Sequence, residues 1–297
     1  MATKSDQPVD TAFERLDHGG YISGTSRAIG GGFIAARDMI ARGLIGVGAT
    51  PNIVTTAGCL ATAGAAVCFF CGGGFTHAAL RDSGAPPYLV YAGVLLFIAG
   101  ACDMLDGAVA RIGRLGTPFG GFFDSTLDRA SDFLIYIGLI GHFARTGNLT
   151  YAILSAAALG NAFLISYTKS RAETLIPDCS VGYWFRGERS AAVFIACLAG
   201  HLPAVLWQQA ILPFLTVVRR VVWTRQVLGA QSAGRPIPAA GPSPGVGGLL
   251  RPWRFPRGSI PYDLVTGANI AFILAGPYLH PIFTAGRDPL GRLLAGP

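Results

Sequence analysis

Charge is what this sequence has least of. Of its 297 residues only 13% are Asp, Glu, Lys or Arg, against 51% hydrophobic, and that is about half the charge of an ordinary soluble domain. The shortage excludes a water-soluble globular chain and points to a membrane protein. Runs long enough to cross a hydrocarbon core of ~30 Å, which takes about 20 residues, recur near residues 50–72, 87–109, 120–143, 149–168, 189–206 and 207–224. The predicted fold is therefore all-α, a polytopic membrane bundle of about six transmembrane helices. A weaker stretch at 259–285 contains Pro261, Asp263, Pro277 and Pro281, which leaves re-entrant, interfacial or buried placements open for it.

Other absences narrow the reading further. The first 25 residues are polar and lack a continuous apolar core, so no cleavable signal peptide is expected. No RNA- or DNA-binding motif occurs, so the net charge of +7 is assigned to anionic lipid headgroups or phosphorylated substrates, not to nucleic acid. Cys68 and Cys71 form one CxxC spacing with no second pair. Together with Cys59, Cys102, Cys179 and Cys197 they are read as small hydrophobes, not zinc ligands. The five histidines are scattered singly, and none is assigned to a metal.

Residues 1–48 read as a polar tail followed by an amphipathic surface helix, in which Ile29, Phe33, Ile40 and Leu44 recur at helical intervals among Arg27, Arg37 and Arg42. Residues 49–225 hold the six predicted spans. Residues 226–258 are rich in Gly, Pro, Ser and Ala, the composition of a linker. Residues 259–297 form a hydrophobic extension to which no role is assigned. Fourteen Lys and Arg fall in residues 1–49, 110–119, 169–189 and 219–225, against Arg81 and Arg145 in the alternate loops. The positive-inside rule then places the amino terminus and the mouth of the acidic segment described next in the cytoplasm, which makes the inner cell membrane the expected location.

Within this greasy chain, "CDMLDGAVARIGRLGTPFGGFFDSTLDRASD" (residues 102–132) puts five aspartates inside two predicted spans. An ionised carboxylate in a membrane helix persists only where it faces a cavity, a cation or a partner. Asp103, Asp106, Gly107 and Ala110 follow i, i+3, i+4, i+7 and share one helix face. Pro118 suits the first turn of the next helix, along which Gly120, Asp124, Asp128 and Asp132 recur every four residues. Two such faces opposed across a hairpin bring up to four carboxylates to one or two ions, and all-oxygen ligation favours Mg²⁺ or Mn²⁺. Cations held this way suit phosphoryl transfer, with one acid left over as a base. Internal salt bridges to Arg111, Arg114 and Arg129 are the competing explanation, but they leave the glycines and alanine on the same faces without a purpose. A divalent-cation transporter is a second alternative. Transporters commonly carry repeats, and no second copy of the acidic segment occurs in this chain.

Asp103, Asp106, Gly107, Ala110, Arg111, Gly120, Asp124 and Asp128 spell D-x-x-D-G-x-x-A-R-x8-G-x3-D-x3-D. This pattern resembles, without a departure, the signature of the CDP-alcohol phosphatidyltransferase family. The resemblance extends over roughly residues 27–225 and includes "TPNIVT" at 50–55. It implies a six-helix membrane enzyme, commonly a homodimer, that transfers the phosphatidyl group of CDP-diacylglycerol to an alcohol and releases CMP. It further implies that Asp103, Asp106 and Asp124 hold two divalent metals and the diphosphate, and that Asp128 is the base while helping with metal. Gly107, Ala110, Arg111 and Gly120 would admit the CDP-lipid, with Asn52 and Thr55 on its cytidine side.

Choice of acceptor lies outside that signature. "SYTKSRAE", "GYWFRGER" and "LTVVRRVVWTR" would place Lys169, Arg171, Arg189 and Arg220 at the cytoplasmic mouth. Converging cations favour an acceptor with its own phosphate, although positive-inside anchoring also places basic residues at helix ends. Here the chain is similar to the phosphatidylinositol phosphate synthases of bacteria and their archaeal relatives, and the match implies an inositol-phosphate pocket of Ser166, Lys169, Arg189 and Arg220 with Arg171 nearby. One departure is present: such enzymes often have Glu-Arg-Pro-Glu-Arg where this chain has Trp184-Phe185-Arg186-Gly187-Glu188-Arg189, so the first acid is lost. Glycerol 3-phosphate or another polyol is the alternative acceptor.

Overall fold

The structure is a computed structural model that describes residues 25–72, 87–238, 259–284 and 287–295. The expectations for the polar tail, for Arg81 and for most of the linker lie outside these residues. Nine α-helices form among them: α1 (Thr25–Gly46), α2 (Pro51–Gly72), α3 (Tyr88–Ile112), α4 (Pro118–Arg145), α5 (Leu149–Ala172), α6 (Arg186–Ala199), α7 (Leu202–Ser232), α8 (Ile260–Leu279) and α9 (Pro289–Ala295). A 3-10 turn, Pro281–Phe283, separates the last two. Residues 37–238 and 269–297 make up one compact unit, which carries the site. Residues 1–36 and 239–268 make up the other, whose described parts are the beginning of α1 and the first half of α8.

Among the described residues four helices, α2, α3, α5 and α7, are long and apolar enough to cross a membrane. The 28 residues of α4 extend about 42 Å at 1.5 Å per residue, and its acids are what lower its apolar character. The chain is an integral membrane protein of all-α architecture, as expected. Two boundaries differ from the sequence reading. The break predicted at 206/207 lies at Gly200, which takes the left-handed conformation (φ 73°) that ends α6 after 14 residues. Pro203 then sits in the first turn of α7, where its missing N–H costs nothing. The second difference is that α7 runs on to Ser232, through residues whose composition reads as linker.

Helix α7 stays continuous because its interior proline is patched from outside. Pro213 cannot donate to the carbonyl of Gln209. Asn161 of α5, buried at 6% exposure, donates through Nδ2 to the Gln209 and Ala210 carbonyls at 3.0 and 2.8 Å. The same amide joins α5 to α7. Elsewhere small residues let backbones meet, as is usual between membrane helices. A Cβ on Gly138 of α4 would lie 2.5 Å from the Ala66 carbonyl of α2, and one on Gly58 of α2 would lie 2.9 Å from Cys102 of α3. Helix α2 thus packs closely on α3 and α4, α5 on α4 and α7, and α6 on α3 and α7. The last turns of α1 bury Ala41 against Ala108 and Val109 of α3.

The two ends of the bundle are closed differently. At the end opposite the aspartates, Arg145 donates to the Phe70 and Cys71 carbonyls at 3.1 and 3.2 Å, capping α2. There too the amino terminus of α5 receives residues 282–284 and 287–290. Tyr151 Oη donates to the Ile282 and Thr284 carbonyls, the latter at 3.0 Å, and Asp288 accepts from the Leu149 and Thr150 amides at 3.1 and 2.9 Å. The second half of α8 reaches α7 through Gln208 Nε2, 2.8 Å from Asn269 Oδ1, and buries Ile273 completely.

Candidate active site

The α3–α4 hairpin and the α5–α6 loop meet at the other end. Thr117 caps α4 by accepting from the Gly120 amide at 2.9 Å, and Pro118 opens the helix. This aims the α4 stripe at α3. Asp103, Asp124 and Asp128 each offer a carboxylate oxygen, all within 4.8 Å of one another. Asp106 stands apart from them: it is 7% exposed and accepts from Thr55 Oγ1 of α2 at 2.8 Å. The expected face is therefore divided, with three acids converging and the fourth fixed to the neighbouring helix. All six cysteines are free thiols.

A cation already stands in this cluster. Arg186, the first residue of α6, places Nη1 against Asp103 Oδ1 and at 2.7 Å from Asp128 Oδ1. Arg129 lies 3.6 Å from the other oxygen of Asp128. Of the three arginines considered from sequence as internal partners, only Arg129 has that contact; Arg111 is exposed, its Nε bonded to the Gly107 carbonyl at 3.2 Å. Like-charged carboxylates this close need positive charge between them, and Arg186 supplies part of it. A crevice of about 10 Å³ lined by Thr55, Asp106, Asp128, Ser131 and Arg186 holds about one water-sized sphere. The oxygen donors, their spacing and the guanidinium lodged among them all fit a divalent cation.

Around the cluster the predicted nucleotide residues are placed as follows. Gly107 has open space where a side chain would begin, and Ala110 is half-buried one turn on. A Cβ on Gly120 would lie 3.4 Å from Asn52 Oδ1, so the first turns of α2 and α4 share one mouth. A cavity of about 330 Å³ opens from Asp103 and Arg186 between α3, α4 and α6, and its deeper wall is Leu96, Phe97, Ile135 and Phe194. A larger hollow of about 590 Å³ lies away from the acids, at the end of α7 beside Arg225 and Arg235.

The predicted acceptor residues divide. Ser166 is half-buried on α5, Lys169 lies 3.7 Å from Glu173 on an open face, and exposed Arg171 reaches only Thr174. Arg220 is 2% exposed. It spends its donors on the Val181 carbonyl at 3.2 Å and the Ile165 carbonyl, with Phe185 under its guanidinium at 5.6 Å. Arg220 thus stacks on a residue of the stretch that departs from the expected pattern. Arg189, also 2% exposed, donates to Asp132 at 2.7 Å. Sequence reasoning missed Arg186, whose only signal was its place three residues before Arg189 on one helix face.

The family model for CDP-alcohol phosphatidyltransferase matches residues 49–218. An archaetidylinositol phosphate synthase of Methanothermobacter thermautotrophicus is 37% identical over 162 residues, 52% of this chain and 80% of that protein. A phosphatidylinositol phosphate synthase of Mycobacterium tuberculosis is 34% identical over 198 residues, 62% of this chain and 84% of that one. Crystal structures of the M. tuberculosis enzyme superpose with TM-scores of 0.53, with CDP-DAG bound, and 0.54, in complex with manganese and citrate, at 29% and 28% identity. They cover 63% and 71% of this chain and 92% and 96% of those chains.

Proposed function

The chain belongs to the CDP-alcohol phosphatidyltransferase family, and from that premise we propose that it transfers the phosphatidyl group of CDP-diacylglycerol to inositol phosphate, giving phosphatidylinositol phosphate and CMP. The observation that carries this reading is the convergence of Asp103, Asp124 and Asp128 within 4.8 Å beside a Thr55-held Asp106. The acceptor comes from the relatives named above, which are inositol phosphate lipid synthases.

Asp103, Asp106, Asp124 and Asp128 would hold two Mg²⁺ or Mn²⁺ ions. When bound, these supply charge neutralisation of the diphosphate and of the oxygens entering and leaving phosphorus. Thr55 keeps Asp106 in one orientation. Gly107, Ala110 and Gly120 leave the backbone open to the nucleotide, with Asn52, Thr55 and Arg111 at its rim. Asp128, at 18% side-chain exposure, takes the proton of the acceptor hydroxyl. The acceptor oxygen bonds to the lipid-bearing phosphorus, and the bond from that phosphorus to the CMP oxygen breaks with its electron pair leaving on CMP. Arg186 binds phosphate: both carboxylates share its Nη1, and its Nε has no partner among the described residues. Ser166, Lys169 and Arg171 on α5 are further acceptor donors, as are Arg189 and Arg220, which here bond to Asp132 and to the Val181 and Ile165 carbonyls. The basic loops support a cytoplasm-facing site, and the family resemblance supports a homodimer.

The test is CMP release by purified protein from CDP-diacylglycerol with Mg²⁺ or Mn²⁺ and, separately, inositol phosphate, inositol or glycerol 3-phosphate. Release with inositol phosphate alone is expected. Release with glycerol 3-phosphate alone would move the acceptor, and no release with any of them would end the reading.

A further inference from the structure

One face of α7 changes character along its length. Ile211, Leu215, Val218 and Val222 are all exposed and recur at i, i+4, i+7 and i+11, which makes them one apolar stripe. Arg225, Gln226 and Gly229 continue the same face. The opposite face carries Thr216, Arg220 and Val227, all buried, so the stripe and its basic end are turned away from the side of α7 that holds Arg220. Length sets where the change falls. The 31 residues of α7 extend about 46 Å at 1.5 Å per residue, more than a hydrocarbon core of ~30 Å requires. Counting about 20 residues for that core from Leu202 puts Val222 at its edge and Arg225 among the headgroups.

Past that level the chain turns back. Gly234 has a φ of 62°, the left-handed conformation that commonly follows a helix, and the Arg235 amide donates to the Ala230 carbonyl at 2.9 Å. This reversal stands Arg235 and Pro236 beside the last turns of α7, where with Arg225 and Gln226 they line the hollow of about 590 Å³. Two guanidiniums ten residues apart thus share one hollow. Among the described residues no carboxylate lines it. The sequence from 189 to 262 contains neither Asp nor Glu, so the chain on both sides of the hollow brings no counter-ion of its own.

We propose that this hollow is a headgroup site for an anionic phospholipid, whose phosphate is held between Arg225 and Arg235 while its acyl chains run down the stripe from Val222 to Ile211. The stripe decides between lipid and free phosphate, because a free anion would use the arginines and leave the apolar face without a part. The site is separate from the acidic centre, and it does not depend on the reaction proposed above.

The test uses the purified full chain in detergent micelles, with CDP-diacylglycerol and Mn²⁺ in excess to occupy the acidic centre. Phosphatidylglycerol with a fluorophore on one acyl chain is titrated against the matching phosphatidylcholine, and binding is read by anisotropy. Wild type should prefer the anionic lipid roughly 25-fold, with about 5-fold lost in Arg225→Gln or Arg235→Gln and all of it in the double variant. Gly234→Val keeps both charges but opposes the left-handed turn, and it should lose the preference too. Arg114→Gln, which removes an exposed arginine outside the hollow, should retain it. Equal affinity of wild type for the two lipids would overturn the proposal. So would loss in the arginine variants without loss in Gly234→Val, or equal loss in Arg114→Gln, since either reduces the effect to overall charge. Release of the labelled lipid by inorganic phosphate in millimolar excess would make the ligand a free anion and overturn the lipid assignment. Turnover in both arginine variants should stay within about 2-fold of wild type; a raised acceptor KM would move Arg225 or Arg235 to the acceptor mouth and end the idea of a separate site. Should Gly234→Val not fold, Gly234→Ala, with less bulk against the same turn, replaces it. A wild-type protein that releases no CMP would end the functional reading, while the lipid series would still judge the hollow.

Discussion

Carboxylates at the two ends of the bundle meet opposite treatment. Asp103 and Asp128 face the head of a long side chain, Arg186, and each retains some exposure. Asp288, at the far end, is received by backbone: the amides of Leu149, Thr150 and Gly291, with the Thr150 hydroxyl. A guanidinium can swing away and leave its acid to a ligand at little structural cost. Helix-end amides cannot, because they would become unpaired donors. Partner type, not residue type, separates an acid that works from one that holds.

The strongest challenge to that contrast is to remove the working acids. Asp103→Asn or Asp124→Asn should abolish measurable turnover and weaken Mn²⁺ and CDP-lipid binding together, since these groups must be in place before any bond changes. Asp128→Asn keeps the size but cannot take the proton, so kcat should fall at least ~10²-fold with a much smaller loss of CDP-lipid affinity. Equal loss of lipid binding in all three variants would erase the division of labour. Next in size is Thr55→Val, which removes the hydroxyl that holds Asp106. A hydrogen bond to a charged group is worth ~1.5–3 kcal/mol, and kcat/KM should drop ~10-fold or more by the same principle. Isothermal binding of CDP-lipid would show whether the loss is in positioning.

At the far end, deleting residues 280–297 should lower the thermal midpoint by several degrees and leave turnover per folded molecule within about 2-fold, because what it takes away is packing and capping. An inactive but folded truncation would show that the holding end also works. The smallest effect is one of pH. Burial opposes ionisation of Asp288, but the Thr150 hydroxyl and the Gly291, Thr150 and Leu149 amides outweigh it and bring its pKa down to about 2. A depressed folded value means the contribution is complete above the unfolded pKa near ~3.9 and fades as pH falls from there toward the folded value. Asp288→Asn should therefore lower the melting temperature at pH 6 and bring it closer to wild type at pH 3.

The aspartates were legible because a charge in a membrane helix stands out against its surroundings and fourfold spacing reports a shared face. Arg186 was not, since a basic residue entering a helix at the end predicted to face the cytoplasm also satisfies topology. For the same reason the inward turn of Arg189 and Arg220 was hidden: a sequence shows that a cation stands at a helix end, not whether it points out to solvent or inward to Asp132 and the Ile165 carbonyl. The α6–α7 boundary stayed hidden behind continuous hydropathy, in which Pro213 looks like a better break than Gly200. What lets Pro213 remain inside a helix is Asn161, 52 residues earlier. Contacts of that range leave no local trace, and the docking of Asp288 on α5 is another.

That docking also acts as a clasp. The Leu149 and Thr150 amides hold a carboxylate that lies 139 and 138 residues further along the chain, so Asp288 stays tied to the first turn of α5 whatever path the polypeptide takes between them.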